Sequence, residues 1–326
     1  MKVAVTGASG HVGNALCRVL TGRGFYVKAL MHHSSTNLQD SGIEIIKGDL
    51  LDPGSLEKLC RDAEIVFHLA ARISISGKDR EVVYRTNVQG TQNLTEVCLK
   101  FRTPRFIHFS SIHTREQFPL DQTLEETRPY LGHSKMVYEE SKTAAEKVVL
   151  NATESGLNAV IMIPTAIIGP EDYRPSYLGQ ALIKIYKNAL PMLVPGGYNW
   201  VDVRDVVECT MRAAEKGKPG ACYIVSGHWE SLENLSRLIG RITKRKTPSF
   251  IAPTLLARIG QPFISLYSKI RKEEPLYTMN SLSILKNSNR MISHSRATRD
   301  LEYYPRPLAE TLKDTFDFYR QTNMIE

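Results

Sequence analysis

The pentapeptide YEESK places Tyr138 and Lys142 four residues apart inside the run MVYEESKTAAEKVVL. On a helix that spacing stacks two side chains on one face about a turn apart. An ammonium held there favours the anion of the phenol, which suits a tyrosine that moves a proton. A solvated pair on an amphipathic helix has the same spacing, and a chain of this length yields roughly one such match by chance. Tyr130 and Lys135 in YLGHSK are five apart, which turns them away from each other, and Gly132 weakens a helix there. YEESK is therefore the pair whose setting decides its meaning.

The setting is a series of strands alternating with helices. Val3 to Val5 form an apolar run that breaks into TGASGHVGNALCRVL, where Gly7, Gly10 and Gly13 precede a helical pattern carried by Leu16, Val19 and Leu20. Such glycines let the backbone approach a pyrophosphate, and the helix N-terminus offers N–H groups and a partial positive charge. GFYVKALMHH reads as a second strand from Phe25, ending at Met31, His32 and His33. An acidic residue at this strand end would accept from both ribose hydroxyls of NAD. None is present, and His32 with Lys28 would suit a 2′-phosphate, so NADP is the expected cofactor, with NAD as the alternative. IEIIKGDLLD supplies a third strand ending in Gly48, Asp49 and Leu50. EIVFHLAAR supplies a fourth ending in Leu69, Ala70 and Ala71, small residues that admit a flat ring or ribose. RFIHFSSIH is a fifth, ending in Ser110 and Ser111. With the distinctive residues at the carboxyl ends, the pattern is an α/β, Rossmann-type, doubly wound parallel sheet with its crevice at that edge.

From Pro170 onward glycines, prolines and aromatics become irregular, as in a smaller, discontinuous α/β substrate lobe grafted on the sheet. The expected division is 1–168 for the dinucleotide-binding domain, with returning segments near 198–227, and 169–326 mostly for the lobe. YIVSG reads as the returning strand; ESLENLSRLIGRI and PLAETLKDTFDFY read as amphipathic helices.

Bulk composition narrows the class. The 326 residues are 42% hydrophobic and 23% charged, an ordinary globular balance. A formal net charge of +8 suits a phosphate-bearing small molecule, but the basic residues are scattered apart from RITKRK and KIRK, which argues against nucleic acid. The five cysteines, Cys17, Cys60, Cys98, Cys209 and Cys222, lack metal-ligand spacing and read as buried thiols of a reducing compartment, with no metal site. Met1 leads directly into KVAVTGASG, so a cytoplasmic location is expected. LLARIGQPFISLYSKI, interrupted by Arg258, Gln261 and Pro262, is too short to span a bilayer and reads as a lid, core helix or peripheral contact.

Taken in order, TGASGHVG, GDLLD, HLAA, NVQGTQNL, FIHFSSI and YEESK resemble the extended short-chain dehydrogenase/reductases, a family also described as NAD-dependent epimerases and dehydratases. The flavour is similar to dihydroflavonol 4-reductase-like and 3β-hydroxysteroid dehydrogenase-like members. The resemblance implies that Tyr138 is the proton donor, that Lys142 lowers the phenol's pKa and holds the nicotinamide ribose, and that Ser111 polarises the substrate oxygen. Ser110 is the neighbouring candidate, and alignment of FIHFSSI favours Ser111 by one position. The same carry-over gives the cofactor Gly7, Gly10, His11, Val12, Gly13, His32, Asp49, Leu50, Leu69, Ala70, Ala71 and Pro164 besides Tyr138 and Lys142. Asn87 opens the motif that supports the catalytic region.

Two departures stand out: His32 where many members have an arginine or an acidic residue, and Ile163 before Pro164 where most have arginine. Ala166 stands where sugar-nucleotide epimerases usually carry asparagine. The implied activity is NADP-dependent reduction of a ketone or aldehyde, or oxidation of the alcohol, on a small to medium hydrophobic substrate. The alternatives are a sugar epimerase or dehydratase with tightly bound NAD(P), and a non-catalytic dinucleotide-sensing module. The family commonly forms homodimers through helices including the one that carries YEESK.

Overall fold

The structure is a computed structural model that describes residues 1–32, 42–73, 79–132, 134, 136–252 and 285–326. His33, Lys135 and the apolar segment 255–270 lie outside the described residues.

Seven parallel strands form the main sheet: β1 (Lys2–Thr6), β2 (Tyr26–Met31), β3 (Glu44–Lys47), β4 (Ile65–His68), β5 (Arg105–Phe109), β6 (Ala159–Pro164) and β9 (Cys222–Val225). Their order is β3-β2-β1-β4-β5-β6-β9. Each expected strand is present, the second starting at Tyr26 and the third closing at Lys47, so Gly48 to Leu50 lie just past its end. The order reverses direction between β1 and β4, so a crevice opens at their carboxyl ends. Strands such as β4, β6 and β1 beyond Lys2 are buried throughout, as a sheet covered on both faces requires.

Helices cover both faces. On one, α1 (His11–Gly22) and α7 (Val203–Lys216) build a core with Val3, Val5, Phe67, Ile107 and Tyr223. On the other, α2 (Pro53–Cys60), α4 (Gly90–Lys100) and α5 (Val137–Glu154) pack on Ala4, Val66, Phe106 and Ile161. Local sequence starts these helices. Asp52 caps α2 by accepting from the Gly54 N–H, with Pro53 in the first turn, and Asp202 caps α7 through the Arg204 N–H. Between β4 and α4, the short helix α3 (Arg80–Tyr84) leads into one turn of π-helix, Arg85–Gln89.

A second sheet of three strands, in the order β10-β8-β7, joins β7 (Ala166–Ile168), β8 (Gly197–Asp202) and β10 (His228–Ser231). With α6 (Tyr177–Tyr186), α8 (Leu232–Thr243) and α10 (Leu308–Gln321) it forms a separate apolar cluster around Trp200, Leu235, Leu312 and Phe316. The chain comes back to the main sheet with α7 and β9, and again with α9 (Ser295–Leu301), whose Ala297 and Leu301 join the α1 core. The last return has no counterpart in the sequence reading. Among the described residues, no helix is long and apolar enough to cross a membrane. The five cysteines are free thiols, four buried and Cys222 half-buried.

Candidate active site

The glycine turn closes on the sheet before it can face any ligand. Gly7 has φ +73, and a β-carbon there would lie 2.6 Å from the Ala70 backbone nitrogen. A β-carbon on Gly13 would fall 2.1 Å from the Gly7 carbonyl oxygen. These two glycines, expected at the pyrophosphate, are required by backbone packing between β1, α1 and the end of β4. Gly10 differs, since its nearest neighbour would be the Gly7 oxygen at 3.4 Å, an ordinary contact. It caps α1 without a side-chain bond, and no acidic residue sits in the first turn. Residues suited to a phosphate are thus present: a helix N-terminus uncapped by any side chain, at the strand crevice, with no carboxylate in that turn to repel an anion.

The other expected cofactor residues divide between backbone and side chain. The His11 ring bonds the Pro170 carbonyl oxygen at 2.8 Å, tying α1 to the chain after β7, and Val12 packs on the α1 core. Leu50 is buried under Gly90, so its main chain alone reaches the sheet edge. Leu69 extends the ladder through its N–H to the Thr6 oxygen; Ala70 donates to the Thr6 hydroxyl, and Ala71 is exposed beside them. Pro164 closes β6 opposite Val225. Asp49 accepts from the Leu51 N–H, and its other oxygen lies 3.4 Å from His32 Nε2, bringing a carboxylate to the end of β2.

Lys28 does not join His32. It lies three residues before the strand end, and its ammonium donates at 3.1 Å to the Arg61 carbonyl oxygen, close to that of Lys58. The C-terminal carbonyls of α2 hold this cation, which corrects the expectation that it faces a 2′-phosphate.

At the end of β5 two adjacent serines take opposite roles. Ser110 donates from its hydroxyl to Glu146. Ser111 caps a single 3-10 turn, Ile112–Thr114, accepting from the His113 N–H, and its hydroxyl lies beside the phenol of Tyr138. Tyr138, Lys142 and Glu146 follow one another at four-residue spacing on α5, with Lys142 only 4% exposed and Glu146 fully buried. The Lys142 ammonium donates to the Phe109 carbonyl oxygen. Asn87, on the π-helical turn, donates to Ser141 at 2.9 Å and makes two bonds with the Arg72 backbone, so it joins the β4–α3 connection to α5.

The electrostatics depart from the first expectation. Burial pushes the Tyr138 phenol above its ordinary value, Ser111 partly opposes this, and Glu139 adds to the rise. Desolvation of the anion dominates, and Lys142 is not among the groups that move the phenol, which corrects the expectation that it lowers the pKa in the chain alone. Burial also lowers Lys142 to about 8, with Glu146 opposing. His68 is lowered to about 3 by burial and then by the charge of Lys142, although its ring bonds the Thr6 and Thr91 hydroxyls at 2.8 Å. His108, in register with His68, is depressed by burial and by the charges of Lys142 and His68, and neither ring nitrogen finds a partner among the described residues.

Glu146 and Arg115 were not singled out from sequence. Glu146 was within reach, because it repeats the spacing of Tyr138 and Lys142; Arg115 depends on a turn no periodicity reveals. Among the described residues, no group of three or more His, Cys, Asp or Glu is placed to hold a metal.

Comparison with known proteins adds the following. The model of the NAD dependent epimerase/dehydratase family matches residues 3–226. Over its whole length and that of the relative, the chain is 29% identical to sterol demethylase protein B of Methylococcus capsulatus. It is 28% identical to 2-alkyl-3-oxoalkanoate reductase of Stenotrophomonas maltophilia, covering 94% and 95% of the two chains. Identity to dihydroflavonol 4-reductase of Gerbera hybrida is 27%, over 82% and 79%. The crystal structure of gox2253 superposes with a TM-score of 0.84 at 29% identity, covering 100% of this chain and 99% of that one.

Proposed function

Because the chain belongs to the NAD dependent epimerase/dehydratase family, we propose that it is an NADP-dependent reductase of a small to medium hydrophobic ketone or aldehyde. The observation that carries the reading is the placement of the Ser111 hydroxyl beside the Tyr138 phenol, with Lys142 one turn further along the same helix. A bound reduced nicotinamide supplies the hydride that reaches the carbonyl carbon. Burial keeps the proton on Tyr138 through the neutral range, the form that can deliver it to the carbonyl oxygen as the alcohol forms. Ser111 sits where its hydroxyl can polarise that same oxygen. Lys142, as an ammonium, stabilises the phenolate left behind until solvent returns the proton, and would also hold the cofactor's ribose.

The first turn of α1 at Gly10 would hold the pyrophosphate; with Lys28 engaged elsewhere, His32 is what favours a 2′-phosphate at the end of β2, and the Asp49 carboxylate beside it works against one. Two of the relatives named above are reductases by name, one of them of a 3-oxo acid, which favours a carbonyl substrate. The test is a carbonyl panel with NADPH and NADH, read at the reduced-nicotinamide absorbance with product analysis. The expected result is one alcohol formed per NADPH consumed, with NADH the poorer donor. Cofactor retained through purification and no net consumption with any carbonyl would point instead to an internal hydride cycle on a sugar.

A further inference from the structure

Behind the proposed donor lies a charge that the mechanism has not yet used. Glu146 is fully buried, and Arg115 beside it is 2% exposed. One carboxylate oxygen accepts from Arg115 at 2.6 Å and from the Tyr130 hydroxyl at 2.8 Å, with the Cys222 thiol at 3.7 Å. The other accepts from Ser110 and lies 3.2 Å from the Thr114 hydroxyl. The Arg115 guanidinium also stacks on the Tyr130 ring, 4.3 Å from its centre. One side chain of α5 therefore gathers the end of β5, the turn capped by Ser111, the Tyr130 segment and the edge of β9.

We propose that Glu146 is a positioning residue for the reaction: its carboxylate fastens the serine-bearing end of β5 to the helix that carries Tyr138 and sets a negative charge one turn along that helix from Lys142. The inference rests on the reductase reading above. The groups that face Lys142 are Tyr138 and Glu146 on its own helix, His68 on β4 and His108 on β5. Burial pushes both imidazoles and the phenol toward their neutral forms, so among the described residues Glu146 is the negative charge that acts on Lys142. Burial would push its carboxyl up, but Arg115, Ser110 and Tyr130 more than offset this and hold it ionised. Removing that charge leaves Lys142 with its desolvation uncompensated, and it loses its proton at lower pH.

Glu146→Gln keeps the shape and removes the charge. In this variant the alkaline fall in turnover is expected to move about one pH unit lower than in wild type. The pH dependence of NADPH affinity, read from nicotinamide fluorescence, is expected to move with it, while Glu146→Asp stays near wild type. Should the unpaired guanidinium prevent folding, the double variant Glu146→Gln, Arg115→Met removes both charges and is read the same way. A folded variant whose alkaline limbs coincide with those of wild type in both measurements would overturn the proposal. If wild type reduces no carbonyl, the reductase reading fails on its own, and the NADPH-binding profile still decides the role of Glu146.

Discussion

Ser110 and Ser111 show how one position along a strand end separates a buried contact from the proposed chemistry. Side chains alternate along an extended chain, so neighbours at the end of β5 point to opposite sides. Ser110 meets the buried carboxylate of Glu146, while Ser111 meets the phenol of Tyr138. Ser111→Ala is expected to lower turnover by about 10²–10³-fold with little change in folding stability, as for loss of a donor to a developing oxyanion. Ser110→Ala is expected to lower stability by about 1–3 kcal/mol, since it strips a donor from a buried charge, while retaining most of the turnover per folded molecule. Steady-state kinetics and urea unfolding of both variants check this, and the reverse ranking would exchange the roles. The spacing of Tyr138 and Lys142 was legible because a helix has a fixed period. The raised phenol was not, because desolvation depends on everything packed around the ring.

At the scale of elements, the β1–α1 turn combines two demands that its sequence does not separate. Gly13→Ala drives a β-carbon to 2.1 Å from a backbone oxygen, so loss of about 1–3 kcal/mol is expected from the forced shift. Gly10→Ala meets only the 3.4 Å contact and is expected to cost about 1 kcal/mol or less, as a weaker cap. NADPH affinity should nevertheless fall in Gly10→Ala, because the added methyl intrudes on the uncapped helix N-terminus. Urea midpoints with cofactor titration distinguish the two, and a Gly13→Ala protein as stable as wild type would refute the packing argument. The motif TGASGHVG was visible as a string, and strand, turn and helix followed from it. Which glycine serves the backbone and which the ligand needed the position of Ala70, sixty-three residues away from Gly7.

Across the whole molecule, distant segments set both the site and its pH limits. Asn289 donates to the carbonyls of Gln117 and Gln122, pinning the tail against the chain that follows the Ser111 turn. Arg204 bridges Asp202 and Asp314, and Arg306 bonds Asp205, which joins the second sheet and α7 to the C-terminal helix. No periodicity announces such joins, and for that reason the return at α9 was the least legible part of the fold, whereas the one through α7 and β9 was expected near 198–227. The buried histidines give the molecule an acid limit. His68 is held at about 3, against roughly 6.5 for an unfolded histidine. The unfolded chain binds the extra proton between these values, so stability is complete above the unfolded value and falls as the pH drops toward the folded one. His108 acts in the same direction. Thermal unfolding is expected to show a decline below about pH 6.5 of roughly 1.4 kcal/mol per pH unit for each buried histidine. His68→Gln should make that slope shallower, and an unchanged slope would contradict this origin.

The central claim is that Tyr138 delivers the proton when hydride reaches the carbonyl carbon, and the most direct measurement is Tyr138→Phe assayed side by side for NADPH binding and for carbonyl reduction. The account predicts NADPH affinity within a few-fold of wild type and turnover lower by about 10²–10⁴-fold. A folded Tyr138→Phe protein that reduces the same carbonyl at a rate close to wild type would contradict it.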